Sequence, residues 1–380
     1  MSNPVSTTHK GYHTDVMIKE RPAPTNLTGP LAWLRDNLFN SPLNTLLTII
    51  SILLIYLVVP PLLNWAIFSA NWTGGSDACR ANVDAACWPF IIERWEQFLY
   101  GFYERSERWR VNIVLWMLFI GLALLIYEKT PKRNLIGMFM LFVFPVISFI
   151  LLYGWPALGL PVVQTPQWGG FMLTLVIALT GIVASLPLGI LLALGRRSTM
   201  PVIRNICIVF IEFWRGVPLI TVLFMASVMF PLFLPDGVTV NQLLRAVVGV
   251  ALFSAAYMAE VVRGGLQAIP KGQYEGASSL GLGYWQSMRL VIMPQALKIV
   301  IPGIVNTFIG LFKDTTLVLI IGLLDFLGMI QSAIADPNWS IKSVPYSGYV
   351  FVALVFWIFC YSMARYSRYL EDKLHTGHKR

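Results

Sequence analysis

Long apolar segments recur along the chain, separated by polar bridges. They run from Leu43 to Phe68, Val111 to Tyr127, Leu135 to Tyr153 and Gly170 to Leu194. Further runs cover Ile203 to Phe233, Leu243 to Val262, Ala296 to Gly322 and Tyr349 to Tyr366. Most reach or approach the ~20 residues that a helix needs to cross a hydrocarbon core. The pattern predicts an all-α integral membrane protein with about eight transmembrane helices. The second run is the shortest, and the fifth is long enough to include an interfacial piece before its crossing. Nothing reads as a strand longer than a loop fragment, and neither a short-period repeat nor a heptad pattern is visible.

The polar positions divide the chain. Residues 1–42 read as an N-terminal tail, polar and proline-containing up to an interfacial piece near Leu31 to Phe39. Residues 43–155 hold three spans and an outside loop at 69–110, with no ionisable residue in mid-membrane, which suits a scaffold. From Gln167 the character changes, as glycine, small residues and charges enter the apolar segments. Intramembrane charges are expensive and usually face a bundle interior or a cavity. Function is therefore expected in the five-span region 167–370, which is interrupted by a polar loop at 268–296, with a second tail at 371–380.

Composition agrees with the pattern. Hydrophobic residues make up 56% and charged ones 12%, against about 25% charged in an ordinary soluble domain. The net charge of +9 is informative only through its placement. Lys129, Lys132, Arg133, Arg196, Arg197, Arg204, Arg365, Arg368, Lys373, Lys379 and Arg380 all fall on one side of an eight-span chain, with the basic N-terminal tail. The loop 69–110 carries five arginines against six acids and no lysine. Lysine and arginine favour the cytoplasmic side, so both termini are expected in the cytoplasm. The charge records topology and does not call for nucleic acid. The first apolar run begins about 40 residues in and is too long for a signal-peptide core, so an uncleaved span is expected.

Candidate chemistry narrows the picture further. Trp88, Trp109, Trp155, Trp168 and Trp339 fall at span ends, where an aromatic belt is ordinary. The four histidines, His9, His13, His375 and His378, lie in the tails, so no metal site or histidine-based catalysis is suggested. No GxxxxGK[ST] phosphate loop occurs and no nucleophile–base arrangement stands out, so no catalytic residue and no cofactor are expected in this chain. Cys207 and Cys360 lie in apolar spans as packing residues. Cys79 and Cys87 lie eight positions apart in the outside loop, where an oxidising periplasm allows either a disulfide or two free thiols.

The polar loop between the sixth and seventh runs is the most distinctive feature. Gln273 to Leu280 has helix-forming composition, Gly281 and Gly283 break it, and Pro294 restarts the chain. Glu275-Gly276-Ala277, then Gly281, Val291 and Met293-Pro294 resemble the cytoplasmic "EAA" loop of ABC-importer permeases. Gly276 departs from that pattern, in which alanine is usual. The block from Ala256 to Gly265, AYMAEVVRGG, followed by Ile269 to Gln273, IPKGQ, resembles permeases for polar amino acids. So do Phe213 to Leu219, FWRGVPL, Lys313 to Leu317, KDTTL, and Leu194 to Ser198, LGRRS. The three additional N-terminal spans resemble the longer permeases of general L-amino-acid uptake systems, their M subunit in particular.

This resemblance implies a five-helix type I importer core preceded by three extra spans. It implies a non-catalytic subunit that translocates amino acids across a bacterial inner membrane, multi-pass. Expected partners are a homologous second permease in a heterodimer, two ATPase subunits holding ATP and Mg, and a periplasmic amino-acid-binding protein. Glu275, Gly276, Ala277, Gly281 and Pro294 would couple to the ATPase. An ion-gradient-driven secondary carrier is the alternative, but inverted repeats with paired broken helices are not visible.

A zwitterionic cargo asks for both cationic and anionic groups in an apolar wall. Tyr257, Glu260 and Arg263 lie on one helical face by their three-residue spacing. Asn306, Gly310, Lys313 and Leu317 form another stripe, with Asp314 about 100° to one side. Lys313, Asp314, Thr315 and Thr316 are the candidates for the path, with Asn306, Tyr257, Glu260 and Arg263. The competing reading pairs Lys313 and Asp314 with Glu260, Arg263 or Arg215 to lock helices together. Arg215, beside Gly216 and Pro218, reads mainly as a partner for carbonyls freed at a helix interruption.

Overall fold

The computed structural model describes residues 29–235 and 237–374. Residues 1–28, with most of the polar tail, and 375–380, with Lys379, Arg380, His375 and His378, lie outside the described residues, as do His9 and His13. The chain divides into two compact units, Met1–Phe68 and Ser69–Arg380.

The first unit holds α1 (Pro30–Leu38) and α2 (Pro42–Leu63). Ser41 starts α2, its Oγ accepting the amide of Asn44 at 3.2 Å, which fills one of the donors a helix start leaves open. Thr48 Oγ1 donates to the Leu38 carbonyl at 2.9 Å and ties the two helices. Pro60 and Pro61 lie inside α2 and offer no N–H to the turn before them. The helix continues as a π turn, Asn64–Phe68.

The second unit opens with three short helices, α3 (Gly75–Ala81), α4 (Pro89–Glu93) and α5 (Trp95–Tyr100). Then come α6 (Arg108–Ile126), α7 (Arg133–Met138) and α8 (Phe144–Tyr153), the last two joined by a π turn. The five-span region comprises α9 (Gly170–Arg196), α10 (Pro201–Gly216), α11 (Leu219–Phe224), α12 (Gln242–Ala268), α13 (Lys271–Ser279), α14 (Tyr284–Ser287), α15 (Met293–Ile299), α16 (Ile301–Asp314), α17 (Phe326–Ile334) and α18 (Val344–Leu374). Among the described residues there is no strand, only four isolated bridges. Seven helices among the described residues are long and apolar enough to cross a membrane. An eighth crossing is counted if Pro201–Gly216 and Leu219–Phe233, bent by 101°, are one span. That bend falls at Val217–Pro218, where proline denies the helix a donor.

Contacts between loops fix which ends of these helices lie together. At one end Arg94 pairs with Asp336, Lys342 Nζ meets Asp84 Oδ1 at 3.0 Å, and Gly170 donates to the Leu324 carbonyl at 2.9 Å. Cys79 and Cys87 form a disulfide at this end, with Cα atoms 5.6 Å apart, and the Cys87 amide donates to Ser347 Oγ at 2.8 Å. Tyr103 is buried there, its hydroxyl donating to the Leu152 carbonyl at 2.8 Å, and burial pushes its phenol up to about 12. At the opposite end Lys373 Nζ meets Glu128 Oε1 at 2.5 Å. The basic cluster that begins at Arg196 shares that end.

The centre of this unit is the packing of α9 on α12. Gly181, Ser185 and Gly189 form a stripe of three small residues at four-residue spacing on α9. A Cβ on Gly189 would lie 2.7 Å from the Met258 Cβ, so only glycine admits this approach. Without a hydrophobic drive between helices in lipid, such small-residue contacts carry association.

Three boundaries differ from the apolar pattern. The second span starts at Arg108, because Arg108 and Arg110 are neutralised by Glu96 and Glu107 and so join the helix. The seventh run is interrupted at Val300, ahead of Pro302, and its crossing is Ile301–Ile321. Pro294 restarts only a short helix, α15, on a π turn Met288–Ile292.

Candidate functional site

Three polar groupings interrupt the apolar framework of the five-span region. The first is centred on Glu260 of α12, whose side chain is 15% exposed. Arg263, one turn on, donates Nε and Nη2 to its Oε2 at 3.0 and 2.7 Å. Arg196, at the end of α9, donates Nη1 to its Oε1 at 2.9 Å and to Glu212 Oε1 of α10 at 2.8 Å. Arg215 of α10 lies 3.8 Å from Glu260 and 3.9 Å from Glu212, and its guanidinium sits 5.6 Å from the Tyr257 ring centre. Three arginines and two glutamates thus bind three helix ends, leaving one formal positive charge. Arg215 meets carboxylates here rather than freed carbonyls.

The second grouping is the stripe on α16. Asn306 and Lys313 are exposed, and a Cβ on Gly310 would meet nothing within 4 Å, so the stripe faces outward from this subunit. Lys313 and Asp314 have no ion-pair partner within 4 Å among the described residues. Glu260, Arg263 and Arg215 are taken up by the first grouping, so the helix-locking pairs considered from sequence do not form. Thr315 begins a 3₁₀ helix, Thr315–Ile321, in which side chains eclipse every third residue. It is turned into the core with Val318, its hydroxyl donating to the Phe312 carbonyl at 2.8 Å. Thr316 is only half-buried and donates to the Lys313 carbonyl at 2.9 Å.

The third grouping is the loop between α12 and α16. α13 buries Ala277 and half-buries Tyr274, three residues apart, while Glu275 and Gly276 face outward. Gly281 has φ +72. Its amide donates to the Ser278 carbonyl at 2.9 Å, and the Leu282 amide to Ala277 at 3.2 Å, the paired bonds that close a helix through a left-handed residue. Flanking this elbow, Leu280 is 78%, Tyr284 53% and Trp285 69% exposed. Exposed Pro294 lies in the first turn of α15.

Residues 185–376, just over half of the chain, match the family model described as binding-protein-dependent transport system inner membrane component. The inner membrane amino-acid ABC transporter permease protein YhdY of Escherichia coli is 54% identical over 94% of this chain and 96% of its own length. This chain belongs to the amino-acid ABC transporter permeases. The permease is also 42% identical to BztC of Rhodobacter capsulatus, a glutamate/glutamine/aspartate/asparagine transport system permease protein, over 96% of this chain and 98% of that one. A solved structure described as an amino acid ABC transporter with histidines aligns at 27% identity over 54% of this chain and 92% of that chain, with a TM-score of 0.48.

Within this permease, Glu260, Arg263 and Tyr257 come together as their spacing suggested, in a cluster apart from Lys313. Arg196 and Glu212 were absent from the candidate residues. Arg196 entered only through the charge bias and the LGRRS motif, and the one available signal for Glu212 was its three-residue spacing from Arg215. Asp325 was missed as well. It is fully buried, its carboxylate accepts the Gly328 and Leu327 amides at the start of α17, and burial pushes it up to about 6.

Proposed function

We propose that this permease is one half of the membrane channel of an ATP-driven amino-acid importer, joined to its ATPases through α13 and α14. The carrying observation is the exposed apolar elbow of Leu280, Tyr284 and Trp285 beside outward-facing Glu275 and Gly276. Large exposed apolar patches on a polar surface mark docking sites. ATP and Mg would be held by two partner ATPases, and this subunit would supply no catalytic group. The segment bearing the elbow lies at the helix ends rich in arginine and lysine, which favours the cytoplasmic side for it and for both termini.

Domain roles follow the same reading. Residues 167–370 are the translocating core, 268–296 its coupling segment, and 43–155 a scaffold whose loop 69–110 is periplasmic. The outward-facing stripe of Asn306 and Lys313 with Asp314 suits a path completed by a homologous second permease, with Thr316 at its margin. The unpaired lysine offers a cation to an α-carboxylate, and the names of YhdY and BztC support amino acids as cargo, delivered by a periplasmic binding protein. Tyr257, Glu260 and Arg263 serve this path chiefly by fixing helix ends.

Co-purification tests the docking step. A Gly281→Trp variant should reach the membrane but lose its ATPase partners or its ATP-dependent uptake. Retention of both at the unmodified level would contradict the docking role.

A further inference from the structure

Arg196 and Arg197 are consecutive at the end of α9 and serve different neighbours. Arg196 enters the Glu260 cluster, as described above. Arg197 reaches the other way. Its Nη1 donates to the Leu266 carbonyl at 3.1 Å and to the Tyr274 hydroxyl at 3.0 Å. The Tyr274 hydroxyl donates to the same Leu266 carbonyl at 3.1 Å, and the Arg197 guanidinium lies 5.6 Å from the Tyr274 ring centre.

The shared acceptor has a sequence origin. Leu266 lies in the last turn of α12, and the residue four positions on, whose amide would normally bond its carbonyl, is Pro270. Proline has no N–H, so that acceptor is open to a donor from outside the helix. Two donors from two other helices, α9 and α13, converge on it. Across the segment Gln295 of α15 donates to Gln273 Oε1 at 3.0 Å, so α13 is held from a second side.

From this arrangement we propose that Arg197 and Tyr274 are positioning residues that fasten α13 to the ends of α9 and α12. They make the coupling segment and the Glu260 cluster move as one body. This rests on α13 being the ATPase contact. Were α13 hinged freely at Ile269–Pro270, a push on its exposed face would be spent in rotating it. With its buried face bonded to both α9 and α12, the same push is passed to the helices that carry Arg196 and Glu260. Glu275, Gly276 and Leu280 remain outside the latch and available to a partner.

The test uses the complete transporter reconstituted in vesicles, with ATP hydrolysis, amino-acid uptake and ATPase co-purification measured together. Arg197→Gln should retain bound ATPase and hydrolysis while substrate moved per ATP falls about fivefold, the scale of one solvent-screened charged hydrogen bond. Tyr274→Phe keeps the ring and removes only the hydroxyl, and should lower the same ratio in the same direction. If the two act as a unit, the double variant should lower the ratio by less than the product of the two single-variant factors, falling short of additivity. Arg197→Lys should restore part of the ratio. An unchanged ratio in both Arg197→Gln and Tyr274→Phe would overturn the latch. A Gly281→Trp variant separates the two ideas. If it uncouples while the Arg197 and Tyr274 variants do not, the latch fails alone; if it too transports normally, the docking reading fails with it.

Discussion

At the residue scale, Glu260 shows how a charge can reside in an apolar helix. Its carboxylate, mostly buried, accepts from Arg196 and Arg263 and lies near Arg215, while the partners Glu212 and Arg215 stay exposed. Glu260→Gln should therefore cost about 2 kcal/mol of stability, the scale of charge-assisted hydrogen bonds discounted for that exposure, read as a fall in the thermal midpoint in detergent. If Glu260 instead served mainly as a cargo contact, uptake would fall with the midpoint unchanged. Asp325 presents the opposite situation, a buried carboxylate with amide donors but no ion-pair partner among the described residues. Its folded value, about 6, stands above its ordinary 3.8. Its contribution to stability is thus fully present below about pH 4 and lost as pH rises through 6, by about 3 kcal/mol in all. Asp325→Asn keeps the helix cap. It should raise the midpoint at pH 7.5 and flatten its change between pH 4 and 7. An unaltered pH profile would show that Asp325 is charged at little cost.

At the scale of elements, α13 separates two glycines that look alike in sequence. Gly276 has ordinary helical geometry, and a Cβ there would meet nothing within 4 Å. Gly276→Ala should stabilise this helix by up to about 1 kcal/mol, so this chain's departure from the usual alanine has no cause within the subunit. Gly281 is left-handed at φ +72, and Gly281→Val should cost about 1–2 kcal/mol. Equal midpoints for the two variants would contradict the distinction. On α9, Gly189→Leu should prevent the close approach to Met258 and abolish recovery of folded protein from the membrane. Normal recovery would mean that α9 and α12 can separate cheaply.

Much of this architecture was legible as apolar runs, because spanning a bilayer demands length and composition together. The breaks were less legible. Val300, the bend at Val217–Pro218 and the π turns depend on where freed backbone groups find partners, which no run of hydrophobicity records. The candidate site was legible where its residues share one helix, as Tyr257, Glu260 and Arg263 do. It was not legible across helices. Arg196 and Glu212 meet Glu260 only after α9, α10 and α12 are packed, and Thr315, a candidate for the path, is turned into the core by a 3₁₀ geometry that has no signature in composition.

At the scale of the whole molecule, the permease places an outward stripe with an unpaired lysine on α16 and an apolar elbow on the segment preceding it. On the proposed function, the stripe would be completed by a facing wall from a second permease and the elbow by a socket on an ATPase. The most direct test is amino-acid uptake into vesicles holding this chain with its second permease, ATPases and binding protein, driven in turn by internal or external ATP or by an imposed ion gradient. The account predicts accumulation that requires ATP on the side of the ATPases and persists when proton and sodium gradients are collapsed. Uptake that proceeds on an ion gradient alone, without ATP, would contradict it.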